Sequence, residues 1–203
     1  MRQGGLVAAA RRLRGLPGRR ASLPRLFLLS DPVRLPDPRA AAGRLPRGAA
    51  VLARGLAPAV LAGLAAVARR RGLVLLVAGD GRAALRHHAG LHLPDRRPAS
   101  GLAAYLLFRG RRRGRPALLM VAAHGRRGIA RARRLRADAV LLSPVFPTAS
   151  HPGAATLGPL RWAALARHAG RPAVALGGLR AGNAGRLPAW AAGLAAIEGF
   201  RGV

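Results

Sequence analysis

The chain has 203 residues, enough for one domain with a substantial core, and its 51% hydrophobic content excludes a disordered chain. It carries 36 basic residues against 6 acidic ones, a formal charge of +30, and it has no cysteine, which excludes disulfides and thiolate chemistry. Every basic residue is arginine. Isoleucine occurs only at 129 and 197 and asparagine only at 183, the signature of G- and C-rich codon usage, so part of the charge is compositional. A net charge of this size attracts nucleic acid, anionic lipid or phosphorylated metabolites. The arginines are scattered in short runs and aromatics make up 3% of the chain. Both features argue against a nucleic-acid module, which gathers its cations on one face and adds stacking rings.

Residues 1–22 are Arg-rich and acid-free and lack the apolar core and cleavage site of a signal peptide. They read as a basic tail or a short capping helix, with residues 23–203 forming the domain. Short apolar runs then recur as strand candidates: Leu26–Ser30, Ala49–Leu52, Leu73–Ala78, Gly90–Leu93, Leu118–Ala122, Ala139–Leu142, Ala173–Leu176 and Leu194–Ile197. Most are continuously apolar, as strands buried on both faces require. Helical stretches alternate with them: Arg39–Leu45, Pro58–Arg71, Gly81–His88, Ser100–Leu107, Gly125–Arg136, Leu160–Ala169 and Asn183–Ala189. Pro58 suits a first helical turn, and Gly72 suits the end of the same helix. Eight strands with intervening helices predict a small (β/α)8 TIM barrel, with an open doubly wound sheet as the alternative. Only Glu198 to Val203 follow the last strand, so the eighth outer helix is missing, and Leu6–Leu16 is the stretch that could cover the gap. The longest charge-free apolar segment, Leu56–Ala68, contains Pro58 and is too short to span a bilayer. A soluble, cytoplasmic protein is expected, and homo-oligomerisation stays open.

Four of the six acids, Asp31, Asp80, Asp95 and Glu198, fall where a strand would end, and strand ends form the ligand rim of parallel α/β folds. Either they build a polar site or they pair with arginines. Arg54 follows the second strand and could reach a phosphate, Asp80 or Asp95. His92 lies inside a strand and reads as a packed core histidine, neutral if buried. His124 sits at a strand end. The longest connection, residues 143–159, holds Thr148, Ser150 and His151 on a Pro- and Gly-rich loop suited to phosphate oxygens. Gly177 and Gly178 end the seventh strand, where backbone N–H groups can approach a phosphate. No zinc or Ser-His-Asp spacing is present.

The segments Gly90–Leu93, Ala137–Thr148, Leu157–Pro159 and Ala175–Gly178, in this order, resemble the thiamine phosphate synthase/TenI superfamily of (β/α)8 barrels. The likeness covers about residues 25 to 200. It implies a synthase that joins hydroxymethylpyrimidine diphosphate to thiazole phosphate with Mg²⁺ and releases diphosphate. Arg54, Thr148 and Ser150 would bind diphosphate, Asp80 and more weakly Asp95 the metal, and Gly177, Gly178 and Ile197 the thiazole phosphate. Expected lysines are replaced by Leu56 and His151, an asparagine by Gly79, and serines by Ala122 and Glu198. Charge-assisted contacts contribute about 1.5–3 kcal/mol each, so these losses weaken a diphosphate site. The TenI branch implies instead a metal-independent thiazole tautomerase. Its strand-six histidine is Pro144 here, which leaves His124 or His151 as the catalytic group. A non-catalytic barrel that binds a phosphate ester is the third reading.

Overall fold

A computed structural model describes residues 5–14, 23–95, 98–110, 117–150 and 153–198. Among them, eight parallel strands close into a barrel in chain order: β1 (Leu26–Leu29), β2 (Ala50–Ala53), β3 (Val74–Ala78), β4 (Gly90–Leu93), β5 (Leu119–Ala123), β6 (Ala139–Leu142), β7 (Ala173–Leu176) and β8 (Gly193–Ala196). Pairing of Leu26 with Leu194 and of Phe27 with Ala195 closes the ring between β1 and β8, which rules out the open sheet. The helices are α1 (Leu6–Arg11), α2 (Arg39–Gly43), α3 (Pro58–Arg71), α4 (Gly81–Arg86), α5 (Leu102–Phe108), α6 (Arg126–Arg134), α7 (Gly158–His168) and α8 (Ala181–Ala184). Observed ends shift by up to five residues from the sequence expectation, most at α8.

Local chemistry explains the elements. In α3, Pro58 occupies the first turn, Leu61, Leu64, Ala65 and Ala68 form one buried stripe, and Gly72 ends the helix at φ 64°. In α6, Gly128, Ile129 and Ala132 face β5 while the arginines lie on the other sides. A Cβ on Gly128 would sit 2.7 Å from the Ala123 Cα, so the absence of a side chain lets this helix lie close to the sheet. In α7, Trp162 is fully buried and donates from Nε1 to the Leu142 carbonyl at 3.1 Å.

The core has two parts. Inside the barrel, alternate strand residues such as Phe27, Leu29, Leu52, Leu76, Met120 and Leu141 pack together. Their neighbours along each strand, such as Leu28, Val51, Leu91 and Val140, pack against the helices. This alternation decides which residues reach the mouth. Carried past the strand ends, the inward series runs through Asp31, Arg54, Asp80 and His124.

Helix α1 packs against β1, β8 and α8 and buries Leu6, Ala9 and Ala10, and Leu13 just past its end is buried too. The Arg14 N–H donates to the Ala189 carbonyl at 2.6 Å. This short helix covers the β8–β1 flank, where no helix follows β8 among the described residues. At the opposite end from the mouth, Asp138 Oδ2 accepts from the Arg109 guanidinium and from the Leu119 N–H, both at 2.8 Å, and ties α5 to the starts of β5 and β6.

If α1 seals the barrel, truncating its fully buried leucine should be as costly as truncating one in the core. Leu6→Ala is expected to lower unfolding free energy by about 2–5 kcal/mol in a urea titration. A change below about 0.5 kcal/mol would show that α1 merely rests on the surface.

Candidate functional site

At the exits of β1 and β2, an ionic network links two loops. Ser30 Oγ donates to the Arg54 carbonyl at 3.0 Å and accepts from the Arg54 N–H at 2.6 Å, which locks the two strand ends together. The Arg54 guanidinium donates from Nε to the Ser30 carbonyl at 2.9 Å and lies 3.4 Å from Asp31 Oδ2. Arg34 Nη2 approaches the same carboxylate oxygen at 3.4 Å and also donates to Ser150 Oγ. Burial holds Arg54 below the usual guanidinium range, with Asp31 opposing that shift. Hydrogen bonds from the Arg34 backbone hold Asp31 below the usual carboxylate range, against a smaller desolvation effect. Arg54 therefore meets Asp31, which its sequence position had not suggested, rather than Asp80 or Asp95.

Across the mouth, the loop after β6 carries Thr148 and Ser150. The Thr148 hydroxyl lies 3.5 Å from Ser150 Oγ and accepts from the Ser150 N–H at 3.4 Å, so the two hydroxyls form one patch. Gly177 and Gly178 have φ of 104° and 60°. A Cβ on Gly177 would meet the Pro144 Cα at 2.7 Å, and one on Gly178 would meet the Pro147 carbonyl oxygen at 2.1 Å. The glycine pair thus has a packing role: it lets the loop after β6 lie directly on the end of β7. The Val145 and Phe146 N–H groups donate to the Leu176 and Gly177 carbonyls at 2.9 and 3.1 Å and fix that contact. Ile197 is partly buried and packs on the interior cluster from the end of β8. His151 lies outside the described residues.

The two expected metal carboxylates behave differently. Asp80 caps α4, accepting from the Ala83 N–H at 2.9 Å through Oδ1. Asp95 turns toward the start of α6. Its Oδ2 lies 4.0 Å from His124 Nε2, and its Oδ1 would be 3.0 Å from a Cβ on Gly128. Asp95 belongs to the outward series of β4, together with Leu91 and Leu93, which explains that direction. No group of three metal-ligating side chains forms among the described residues. Such a donor set cannot enclose an ion by itself. It suits Mg²⁺ held mainly by water and ligand phosphates, which needs one or two carboxylates, and Asp80 meets that requirement.

His124 is half-exposed. Its Nδ1 lies 2.8 Å from the Ser143 carbonyl, which can only accept, so Nδ1 carries the proton and a neutral ring presents Nε2 as acceptor. His92 is different. It points into the barrel, in register with Ala78 on β3 and Met120 on β5. It is 4% exposed, and its Nδ1 has no hydrogen-bond partner among the described residues. Desolvation, reinforced by the cations Arg54 and Arg131, pushes it down to about 3, so the imidazole is neutral as the sequence suggested. The residues overlooked in the sequence are Arg34 and the direct role of Asp31. The Asp-x-x-Arg spacing immediately after a strand was the available signal, because an aspartate there folds the turn that aims the arginine.

These observations define a closed (β/α)8 barrel whose mouth gathers guanidiniums, hydroxyls and one shared carboxylate. The chain belongs to the thiamine monophosphate synthase family (TMP-TENI), which matches residues 56–200. Arg34, Asp31 and Arg54 precede the matched stretch. Among solved structures the chain is similar to thiamine phosphate pyrophosphorylase from Pyrococcus furiosus, with a TM-score of 0.67, 19% identity and 86% of each chain covered. At that identity the likeness is one of fold. No curated protein matches the chain. Among the described residues no helix is long and apolar enough to cross a membrane.

The buried neutral histidine gives a pH signature. An unfolded histidine titrates near 6.5 while His92 titrates near 3, so between these values the unfolded chain binds the extra proton. Stability therefore falls as pH drops through that window, by up to about 1.4 kcal/mol per unit from this residue. Urea unfolding from pH 7 to pH 4 should give His92→Leu a flatter profile by about that slope. Parallel profiles would contradict the assignment.

Proposed function

We propose that the protein is a thiamine phosphate synthase, joining hydroxymethylpyrimidine diphosphate to thiazole phosphate and releasing diphosphate. The observation that carries this reading is the placement of Arg54 at one side of the mouth and the Thr148–Ser150 hydroxyl patch at the other, tied together through Arg34. In the reaction the bond between the pyrimidine methylene and the diphosphate oxygen breaks, and the thiazole nitrogen forms the new bond to that carbon. Negative charge accumulates on the departing diphosphate. Arg54, prepositioned by the Ser30 carbonyl, is a cation that needs little reorganisation to stabilise it. Thr148 and Ser150 supply hydroxyl donors to further phosphate oxygens. Gly177 and Gly178 bring backbone close to the mouth beside Ile197, where the thiazole phosphate would sit. Asp80, with Asp95 only if it turns away from His124, would hold Mg²⁺, which when bound supplies further neutralisation of the diphosphate.

A second reading rests on His124. With Nδ1 held by the Ser143 carbonyl, its Nε2 is an available base at the rim beside Asp95, as a metal-independent thiazole phosphate tautomerase requires. No side chain at the position of Pro144 can take that part.

The synthase reading is tested by incubating both phosphorylated precursors with Mg²⁺ and measuring thiamine phosphate. Product should form, and Arg54→Ala should lower kcat/KM by roughly 10- to 150-fold, the equivalent of about 1.5–3 kcal/mol for one charge-assisted contact. Folded wild-type protein that yields no product above background removes this reading. Turnover of the thiazole phosphate tautomer in EDTA, abolished in His124→Ala, would establish the tautomerase instead. Saturable ligand binding without either turnover would leave a phosphate-ester-binding barrel.

A further inference from the structure

Resting on the diphosphate reading above, we propose that Arg34 is a second diphosphate-binding cation, and that the Asp31 carboxylate is a resident competitor which holds both guanidiniums until a phosphate displaces it. The first cation, Arg54, leaves the end of β2. Arg34 supplies a positive charge from a different element, the turn after β1.

The geometry separates the two oxygens of Asp31. Oδ1 accepts from the Val33 and Arg34 N–H groups at 3.2 and 3.1 Å, closing an Asx turn. The Asp31 and Leu35 backbones also pair in both directions, at 3.1 and 3.0 Å, so the short loop that carries Arg34 is fixed. Oδ2 is left for the cations and lies 3.4 Å from each guanidinium. Strong charge-assisted pairs have N···O distances of about 2.7–2.9 Å. One oxygen shared between two guanidiniums at 3.4 Å satisfies neither, and a phosphoryl group with three oxygens and higher charge would serve both better. The side chains are only partly covered, with 25% and 32% of Arg34 and Arg54 exposed, so a ligand can reach them. Arg34 also donates to Ser150 Oγ from the loop after β6, three strands round the ring from β1. The two cations, the displaceable carboxylate and the hydroxyls therefore surround one anion position.

Calorimetric titration of inorganic diphosphate, in EDTA at about 0.15 M ionic strength, where distant exposed charges are screened, separates this arrangement from general attraction to a protein of charge +30. Arg34→Gln should weaken binding by about 10-fold or more, the loss expected for one charge-assisted contact. Arg70→Gln, which removes the same charge at the exposed end of α3 far from the mouth, should change it less than 2-fold by the usual screening of distant exposed charges. Asp31→Asn keeps Oδ1 for the turn but removes the competing charge, and should tighten binding by roughly 10-fold. Thermal unfolding of each variant verifies folding. Equal weakening by Arg34→Gln and Arg70→Gln would overturn the role of Arg34, and weaker binding in folded Asp31→Asn would overturn the competitor. If the variants behave as expected but the wild type makes no thiamine phosphate, the inference stands and the synthase reading falls. A wild-type protein that binds no diphosphate in EDTA removes the inference, while the synthase reading is decided by product formation with Mg²⁺.

Discussion

Hydrogen bonding between β1 and β8 is the constraint on which the remaining geometry depends. Once the sheet closes, alternate residues of all eight strands face one interior, and the same parity carried one step further brings their exits round one mouth. Residues separated by more than a hundred positions, such as Arg34 and Ser150, meet because both leave the barrel at this end. The flank beside the closing strand pair is covered by α1, so the earliest described segment helps hold the geometry that positions Asp31 just past the end of β1.

Electrostatics in a chain this basic is a question of where the few carboxylates go. Each of the five aspartates has a definite structural employer. Asp138 ties α5 to the far end of the barrel, Asp37 pairs with Arg39 at the start of α2, Asp80 caps α4, Asp95 meets His124, and Asp31 bridges Arg34 and Arg54. Glu198 is exposed. The choice posed by the sequence, between a polar site and arginine pairing, was therefore not exclusive. Asp31 pairs with arginines that are themselves at the mouth.

The barrel was readable from the sequence because buried parallel strands require continuous apolar runs and the connections between them carry ordinary helix signals such as Pro58 and Gly72. The motif from Ala137 to Thr148 likewise pointed to the right family. What periodicity could not supply was direction at the rim. Asp95 sits one step out of phase with the inward series, so it turns to α6; the expected bounds of β4 were right, and what the sequence lacked was which face of the strand points inward. By position Arg54 could reach a phosphate, Asp80 or Asp95; the Ser30 hydroxyl pins its backbone beside Asp31 instead, a carboxylate outside that set. Gly177 and Gly178 looked like a phosphate loop, yet their first physical requirement is the close approach of Pro144 and Pro147. That requirement also couples the glycine pair to Thr148, which follows Pro147 directly.

The use of guanidinium groups throughout has a consequence for chemistry at the mouth. Arginine stays charged at any pH a cell reaches and gives up no proton. The chain has no lysine or cysteine, and its one tyrosine, Tyr105, is buried on the far side of the strands with its hydroxyl committed to Leu91 and Leu118. His92 stays neutral within the barrel. The surrounding cations can therefore bind and orient a ligand but cannot shuttle hydrogen ions to it. Among the described residues, any acid–base step in this cavity falls to His124, a carboxylate or water.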